Sequence, residues 1–326
     1  FRDICSQVTE YQESIKGTAN AVAQIDLFAS LAHVAALYNY VRPRLTNDDT
    51  IEIEKGRHPV VERLISYGSF VPNDTLLDNI NTQVVLLTGP NMAGKSTYIK
   101  QVGLIVMLAQ IGSFVPAESA TIGIVDRIFT RFGLQDDLST GQSTFMVEMV
   151  ETANILRQAT KKSLILLDEI GRGTSTYDGL AIAKATAEHI HDDHNLGCKT
   201  LFATHYHELT QLSDVLSRVR NFSMAATDNG GQLVFLHTVV SGGSDRSYGV
   251  QVAHLAGIPS SVIKRAWDIL QQLEHDSKQF TGFQGPLFFE PHPILDEILS
   301  MDLSVITPLD AINKLHQLQT DIRESV

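Results

Sequence analysis

Leu164-Ile165-Leu166-Leu167-Asp168-Glu169-Ile170-Gly171-Arg172-Gly173-Thr174-Ser175-Thr176-Tyr177-Asp178-Gly179 is the stretch on which the fold turns. Four apolar residues closing on two acids read as a buried strand that delivers carboxylates to its C-terminal edge. The glycine- and hydroxyl-rich run after them can bring bare backbone close to a charged ligand. Upstream, Val84-Val85-Leu86-Leu87-Thr88 reads as a second buried strand. It feeds Gly89-Pro90-Asn91-Met92-Ala93-Gly94-Lys95-Ser96, a match to the phosphate-binding pattern G-x-x-x-x-G-K-[ST]. Together the two stretches point to a protein that binds and hydrolyses a nucleotide.

Each residue type has a physical reason to be there. Glycines let successive backbone N–H groups converge on phosphate, and the N-terminus of the following helix adds positive potential. Lys95 reaches the β- and γ-phosphates, and the Ser96 hydroxyl serves Mg²⁺. An acid at the end of a buried strand is costly unless paired, which makes a metal a natural partner for Asp168. Glu169 then positions or deprotonates the attacking water. His205, in Phe202-Ala203-Thr204-His205, ends another apolar strand and is placed to sense the γ-phosphate, although a lone histidine at a strand end is more often structural. His189, His191 and His194 have spacing that does not place all three on one helix face, and Asp192 and Asp193 favour a solvated helix end.

Outward from these motifs, apolar segments alternate between strand and helix. Helices are expected from about Lys95 to Ile111, Ser143 to Ala159 and Gly179 to His191, with a further one after His205, and strands at Leu164–Leu167 and Thr200–Ala203. The second helix should turn Met146, Met149, Val150, Ala153 and Leu156 inward. This alternation predicts an α/β fold with a largely parallel sheet. Before it, Ile15, Ala19, Val22, Ile25, Ala29, Ala32, Ala36 and Tyr40 recur at helical spacing on one face, expected to pack on neighbours. A helix of about 27 residues is roughly 40 Å long, enough to link two sites mechanically; Arg42-Pro43 ends it. Beyond Gly249, Val250–Gly257 and Pro259–Leu273 read as two helical pieces and His275–His292 as linker. A last helix is expected over Leu309–Ile322, with Thr307 as N-cap and Pro308 at its first position.

Composition narrows the context. The chain has 326 residues and only two cysteines, Cys5 and Cys198, which favours a reducing compartment over a disulfide framework. No apolar run is expected to be long enough to cross a bilayer, and the absence of an initial Met fits a piece of something longer. A net charge of −12 lacks the basic stripe that grips duplex DNA, so any DNA binding falls chiefly to other parts.

Further motifs join these in order: Ser143-Thr144-Phe145-Met146-Val147-Glu148-Met149, Phe202-Ala203-Thr204-His205-Tyr206 and Ser247-Tyr248-Gly249. With Thr88-Gly89-Pro90-Asn91-Met92 and Asp168 to Gly179, they resemble the ATPase end of the MutS DNA mismatch-repair family. The likeness runs from about Ala19 to Leu273, with a weaker echo in Thr307–Leu318. The Phe-Met-Val-Glu-Met form is closer to the bacterial type.

The resemblance implies a P-loop ABC-type ATPase with a mixed, largely parallel sheet. Residues 1–45 would be the end of a lever helix, 46–250 the ATPase domain, and 251–326 a helix-turn-helix dimerisation region with linker and C-terminal helix. It also implies ATP and Mg²⁺ as cofactors. Nucleotide contacts fall on Gly89, Pro90, Asn91, Met92, Ala93, Gly94, Lys95, Ser96 and Thr97, with Phe70 and His237 flanking adenine and Ser96 and Asp168 on the metal. Glu169 activates water, Lys95 and His205 act at the γ-phosphate, and Ser143 reaches the partner's γ-phosphate in a homodimer. Mismatched duplex DNA would be read by domains absent from this chain, a MutL-type repair protein would act downstream, and the location would be cytoplasmic, away from membranes.

Two alternatives stay open on sequence alone. Leu138-Ser139-Thr140-Gly141-Gln142 resembles the LSGGQ motif of transporter ATPases, although a hydroxyl at the helix start, Ser143, is the better anion ligand. A transporter-type or chromosome-maintenance ATPase therefore competes, as does a dimerisation module whose nucleotide is structural.

Overall fold

The computed structural model describes residues 1–66, 68–133, 143–229, 232–243 and 248–280. Helices α1 (Arg2–Glu10) and α2 (Gln12–Leu37) lead into strands β1 (Arg44–Thr46) and β2 (Ile51–Gly56), the short helix α3 (Val61–Leu64) and β3 (Asn73–Leu77). Then β4 (Val84–Thr88), α4 (Lys95–Gln110), β5 (Ser119–Gly123), β6 (Ile128–Arg131), α5 (Thr144–Gln158), β7 (Leu164–Asp168), α6 (Thr176–Asp192) and β8 (Lys199–Ala203) follow. A 3₁₀ turn (His207–Gln211) and α7 (Leu212–Val215) precede the hairpin of β9 (Val219–Asn229) and β10 (Gln232–Ser241) and helix α8 (Gly249–Leu255). The chain divides after Pro259 into two compact units. In the second, α9 (Ser260–Phe280) carries Ile263, Ala266, Leu270 and Leu273 at helical spacing.

Two sheets organise the first unit: a four-stranded one ordered β1-β5-β2-β3 and a six-stranded one ordered β10-β9-β4-β8-β7-β6. In the larger sheet β9, β4, β8, β7 and β6 are mutually parallel, and β10 adds an antiparallel edge. The fold is the mixed, largely parallel α/β architecture that the sequence predicts. Strand periodicity explains the core. Val85, Leu87, Leu164, Leu166 and Leu201 point to one face and meet Ile99, Val102, Ile105 and Val106 of α4. Their neighbours Val84, Leu86, Ile165, Leu167 and Phe202 point to the other and meet Ala183, Ala187 and Ile190 of α6.

The parallel register fixes one functional edge. Leu87 of β4 and Asp168 of β7 both pair with Ala203 of β8, so the segments after Thr88, Asp168 and Ala203 leave the sheet together. In open α/β sheets ligands collect at such strand ends.

Several expectations need correction. Helix α2 ends at Leu37, short of Tyr40, and only Ala35 of its residues is buried, so most of its apolar side is left uncovered by the described residues. It is also long and apolar enough, by length and composition, to cross a membrane, with a mean hydropathy of 1.3 over its most apolar window. Helix α5 buries Glu148, Thr152 and Ile155, whereas Met146 and Val150 are exposed. Its buried side therefore includes a glutamate, which apolar periodicity cannot find. The hairpin β9–β10 was not foreseen, and α6 starts earlier, at Thr176, because the Ser175 hydroxyl accepts from the Asp178 amide as an N-cap. Helix α9 continues to Phe280 through the first residues of the expected linker. The LSGGQ-like Leu138–Gln142, Ser247 and the helix expected over Leu309–Ile322 lie outside the described residues.

Candidate active site

The loop between β4 and α4 is shaped by three left-handed residues: Gly89 (φ 126°), Met92 (φ 69°) and Gly94 (φ 106°). Gly94 is the N-cap of α4, a conformation that a side chain would strain. Ala93 is fully buried beneath the loop, while Asn91 and Met92 face solvent. Lys95 starts the helix and curls back, its ammonium donating to the carbonyls of Gly89 at 2.6 Å and Pro90 at 3.1 Å. Burial depresses its pKa to about 8, against the opposing pull of Glu169 and Asp168. A buried ammonium held by two carbonyls is suited to an anionic ligand that completes its charge balance.

Asp168 ends β7 and is buried. Burial raises its carboxyl above the ordinary value, a hydrogen bond from Ser96 partly offsets this, and neighbouring Glu169 adds to the rise. Its Oδ1 is buried without a hydrogen-bond partner among the described residues. An orphaned carboxylate oxygen beside a hydroxyl fits a hard cation that takes oxygen ligands, and Mg²⁺ is one.

Glu169 is held from both sides. His205 Nε2 faces its Oε1, Arg172 Nη1 holds Oε2, and its backbone N–H donates to Ala203 at 3.0 Å. Burial would raise this carboxyl, but His205, Arg172 and Lys95 outweigh it and hold it below the usual range. Its φ of 63° is unusual for a non-glycine residue. Strained backbone of this kind tends to gather at functional sites.

The remaining predicted residues fall into two places. Phe70 and His237, far apart in sequence, line one cleft of about 210 Å³ together with Met92, Gly94, Thr97 and Tyr98. His237 Nδ1 donates to the Ala93 carbonyl at 2.9 Å, so the imidazole is tied to the phosphate loop itself. A register shift between Phe235 and Val239 accommodates its left-handed backbone. Ser143 stands at the N-cap of α5, exposed and making no cap bond of its own to the helix. Sequence reasoning missed Asn73, whose amide grips the backbone on either side of Thr238: Nδ2 donates to His237 O at 2.9 Å, and Oδ1 accepts from Val239 N at 2.7 Å. It also missed Arg172, although that residue lies inside the glycine-rich run.

Comparison with known proteins follows the same lines. The family profile described as MutS domain V matches residues 85–274. The chain belongs to the MutS family. It is 50% identical to the DNA mismatch repair protein MutS of Methanococcoides burtonii, over 98% of this chain and 38% of that protein. MutS of Chloroflexus aurantiacus is 52% identical over 98% of this chain and 35% of its own length. MutS of Acetivibrio thermocellus is likewise 52% identical, over 99% and 39%. The chain thus spans less than two fifths of these MutS relatives. Membership removes the transporter-type alternative that Leu138–Gln142 had kept open. His191, one of the clustered histidines, is occupied structurally in this MutS chain: Nδ1 lies 2.6 Å from Asp192, and its carbonyl accepts from Arg218.

Proposed function

We propose that this chain is the ATP-hydrolysing engine of a DNA mismatch-repair protein. One observation carries the reading: a single sheet edge holds the Lys95 loop, buried Asp168 with its unpartnered oxygen, and the Glu169–His205 pair. The cleft between Phe70 and His237 opens from the same loop and is the place for adenine.

On this reading Lys95 exchanges the Gly89 and Pro90 carbonyls for phosphate oxygens, while the α4 N-terminus and loop amides orient the chain of phosphates. Ser96 and Asp168 would hold Mg²⁺, which when bound neutralises charge developing on the phosphate oxygens. Glu169 accepts a proton from the attacking water, and Arg172 and His205 keep its carboxylate ionised and aimed. His205, paired with Glu169 just after β8, is the natural reporter of γ-phosphate.

The larger role follows by family analogy. Ser143 would act on the nucleotide of a second copy, making the site composite, and residues 251–326 would contribute helix-turn-helix dimer contacts. Lever, ATPase and dimerisation segments are assigned to 1–45, 46–250 and 251–326. Mismatched duplex DNA would be bound by other domains, a MutL-type protein would be recruited downstream, and the location would be cytoplasmic. The acidic balance of this chain agrees with DNA contacts lying elsewhere. A phosphate-release assay with ATP tests the reading. Turnover that requires Mg²⁺ and is lost in Lys95→Ala supports it; no release by the unaltered chain at concentrations where it dimerises contradicts it.

A further inference from the structure

The two peptide groups that flank Gly171, close to Glu169, are gripped one each by residues that do not line the Phe70–His237 cleft. The Gly171 N–H donates to Glu148 Oε1, and the Gly171 carbonyl accepts from the Tyr206 hydroxyl at 2.9 Å. Glu148 is only 4% exposed, and its other oxygen lies 3.5 Å from Arg131 Nη2. Arg131 is itself buried and paired through Nε with Glu151 at 3.0 Å. Space around Gly171 is closed. A Cβ on Gly171 would come within 2.6 Å of the Gly179 carbonyl, and one on Gly179 would overlap both the Gly171 carbonyl and the Tyr206 hydroxyl. Gly173 lies against Phe145, in the first turn of α5.

Desolvating a buried carboxylate is costly, and only good partners offset it. Here those partners are Arg131 and one loop amide. Two residues before that amide, Glu169 holds its left-handed backbone. Such a conformation is strained and persists only where the surroundings over-determine it. Anchoring the backbone N–H and C=O of Gly171 does this. Because Glu148 and Phe145 lie on α5, the anchor also joins Glu169 to the helix that Ser143 begins.

We propose that Glu148 and Tyr206 are positioning residues, which hold the Gly171 backbone N–H and C=O and through them set the Glu169 carboxylate for water activation. The proposal rests on the reading of Glu169 as the hydrolytic acid. Neither residue lines the nucleotide cleft, so their loss acts on turnover and leaves nucleotide affinity in place.

The test compares steady-state ATP hydrolysis and equilibrium nucleotide binding in the unaltered chain, Tyr206→Phe, Glu148→Gln and Glu148→Ala. Tyr206→Phe keeps the ring and removes only the hydroxyl. It should lower kcat about tenfold, the scale of one lost hydrogen bond in a buried setting, with KM and nucleotide affinity within about twofold. Glu148→Gln retains an oxygen acceptor for the Gly171 amide and should recover much of the turnover that Glu148→Ala loses. Full turnover in Tyr206→Phe, or equal losses in affinity and kcat, overturns the proposal while the hydrolytic reading stands. An unaltered chain without turnover overturns that reading and the proposal with it.

Discussion

Asn73 and His237, 164 positions apart in sequence, are joined by a 2.9 Å hydrogen bond from the Asn73 amide to the His237 carbonyl. The same side chain accepts from Val239 N, so one amide fixes the turn that presents the imidazole to the cleft. The positive φ of His237 is kept by this bracket and by the bond to Ala93. Asn73→Ala should therefore raise the KM for ATP about tenfold with kcat nearly unchanged, since a base-side contact is made equally in ground and transition states. Steady-state kinetics over a range of ATP concentrations checks it, and a fall in kcat alone would place Asn73 elsewhere in the cycle.

Lys95 sits against the carbonyls of Gly89 and Pro90, buried enough that its pKa falls to about 8. Lys95→Ala should weaken nucleotide binding by about 10- to 100-fold, the range for one hydrogen-bonded charge. Equilibrium titration with a fluorescent ATP analogue measures this directly. Unchanged affinity would remove Lys95 from the phosphate site.

Gly179 lies so close to Gly171 and Tyr206 that a methyl group there has no room. Gly179→Ala should destabilise the first unit by about 2–4 kcal/mol, in line with overpacking against rigid backbone. Denaturant unfolding followed by circular dichroism provides the measurement. A stability equal to the unaltered chain would show that the loop after β7 is looser than its contacts indicate.

Asp126 supplies the pH dependence. Burial raises its carboxyl, but hydrogen bonds from Thr160 at 2.7 Å and Ser163 at 2.8 Å outweigh this and leave it below the ordinary value. A depressed folded value means that the stabilisation is present above the unfolded pKa and is lost as pH falls through the folded one. Asp126→Asn should thus lower Tm near neutral pH, and the gap from the unaltered chain should close in the acid range. A gap that is constant with pH would mean that the charge contributes nothing.

Much of the candidate site was legible because its residues are tied to local geometry. A buried strand followed by a glycine-rich loop that closes on Gly94, Lys95 and Ser96 leads into a helix N-terminus, and parallel register then brings Asp168, Glu169 and His205 to the same edge. The rest depends on long-range packing. Asn73 and Tyr206 act through backbone groups of residues distant in sequence, for which a single sequence carries no signal. Glu148 was hidden for a different reason. Periodicity assigns the inward side of α5 to its apolar residues, whereas the structure buries a charged one because Arg131 and the Gly171 amide are there to receive it. The β9–β10 hairpin escaped because Val219–Asn229 mixes polar and apolar residues without strict alternation. The exposed apolar side of α2 shows the opposite failure: the helix was legible, but its packing was not.

The most direct test of the central claim is to measure ATP binding and phosphate release side by side in Glu169→Ala and the unaltered chain. The account predicts that Glu169→Ala binds ATP with an affinity close to that of the unaltered chain but releases phosphate at least about a hundredfold more slowly, as expected for loss of a general base. Near-normal turnover in Glu169→Ala would contradict it.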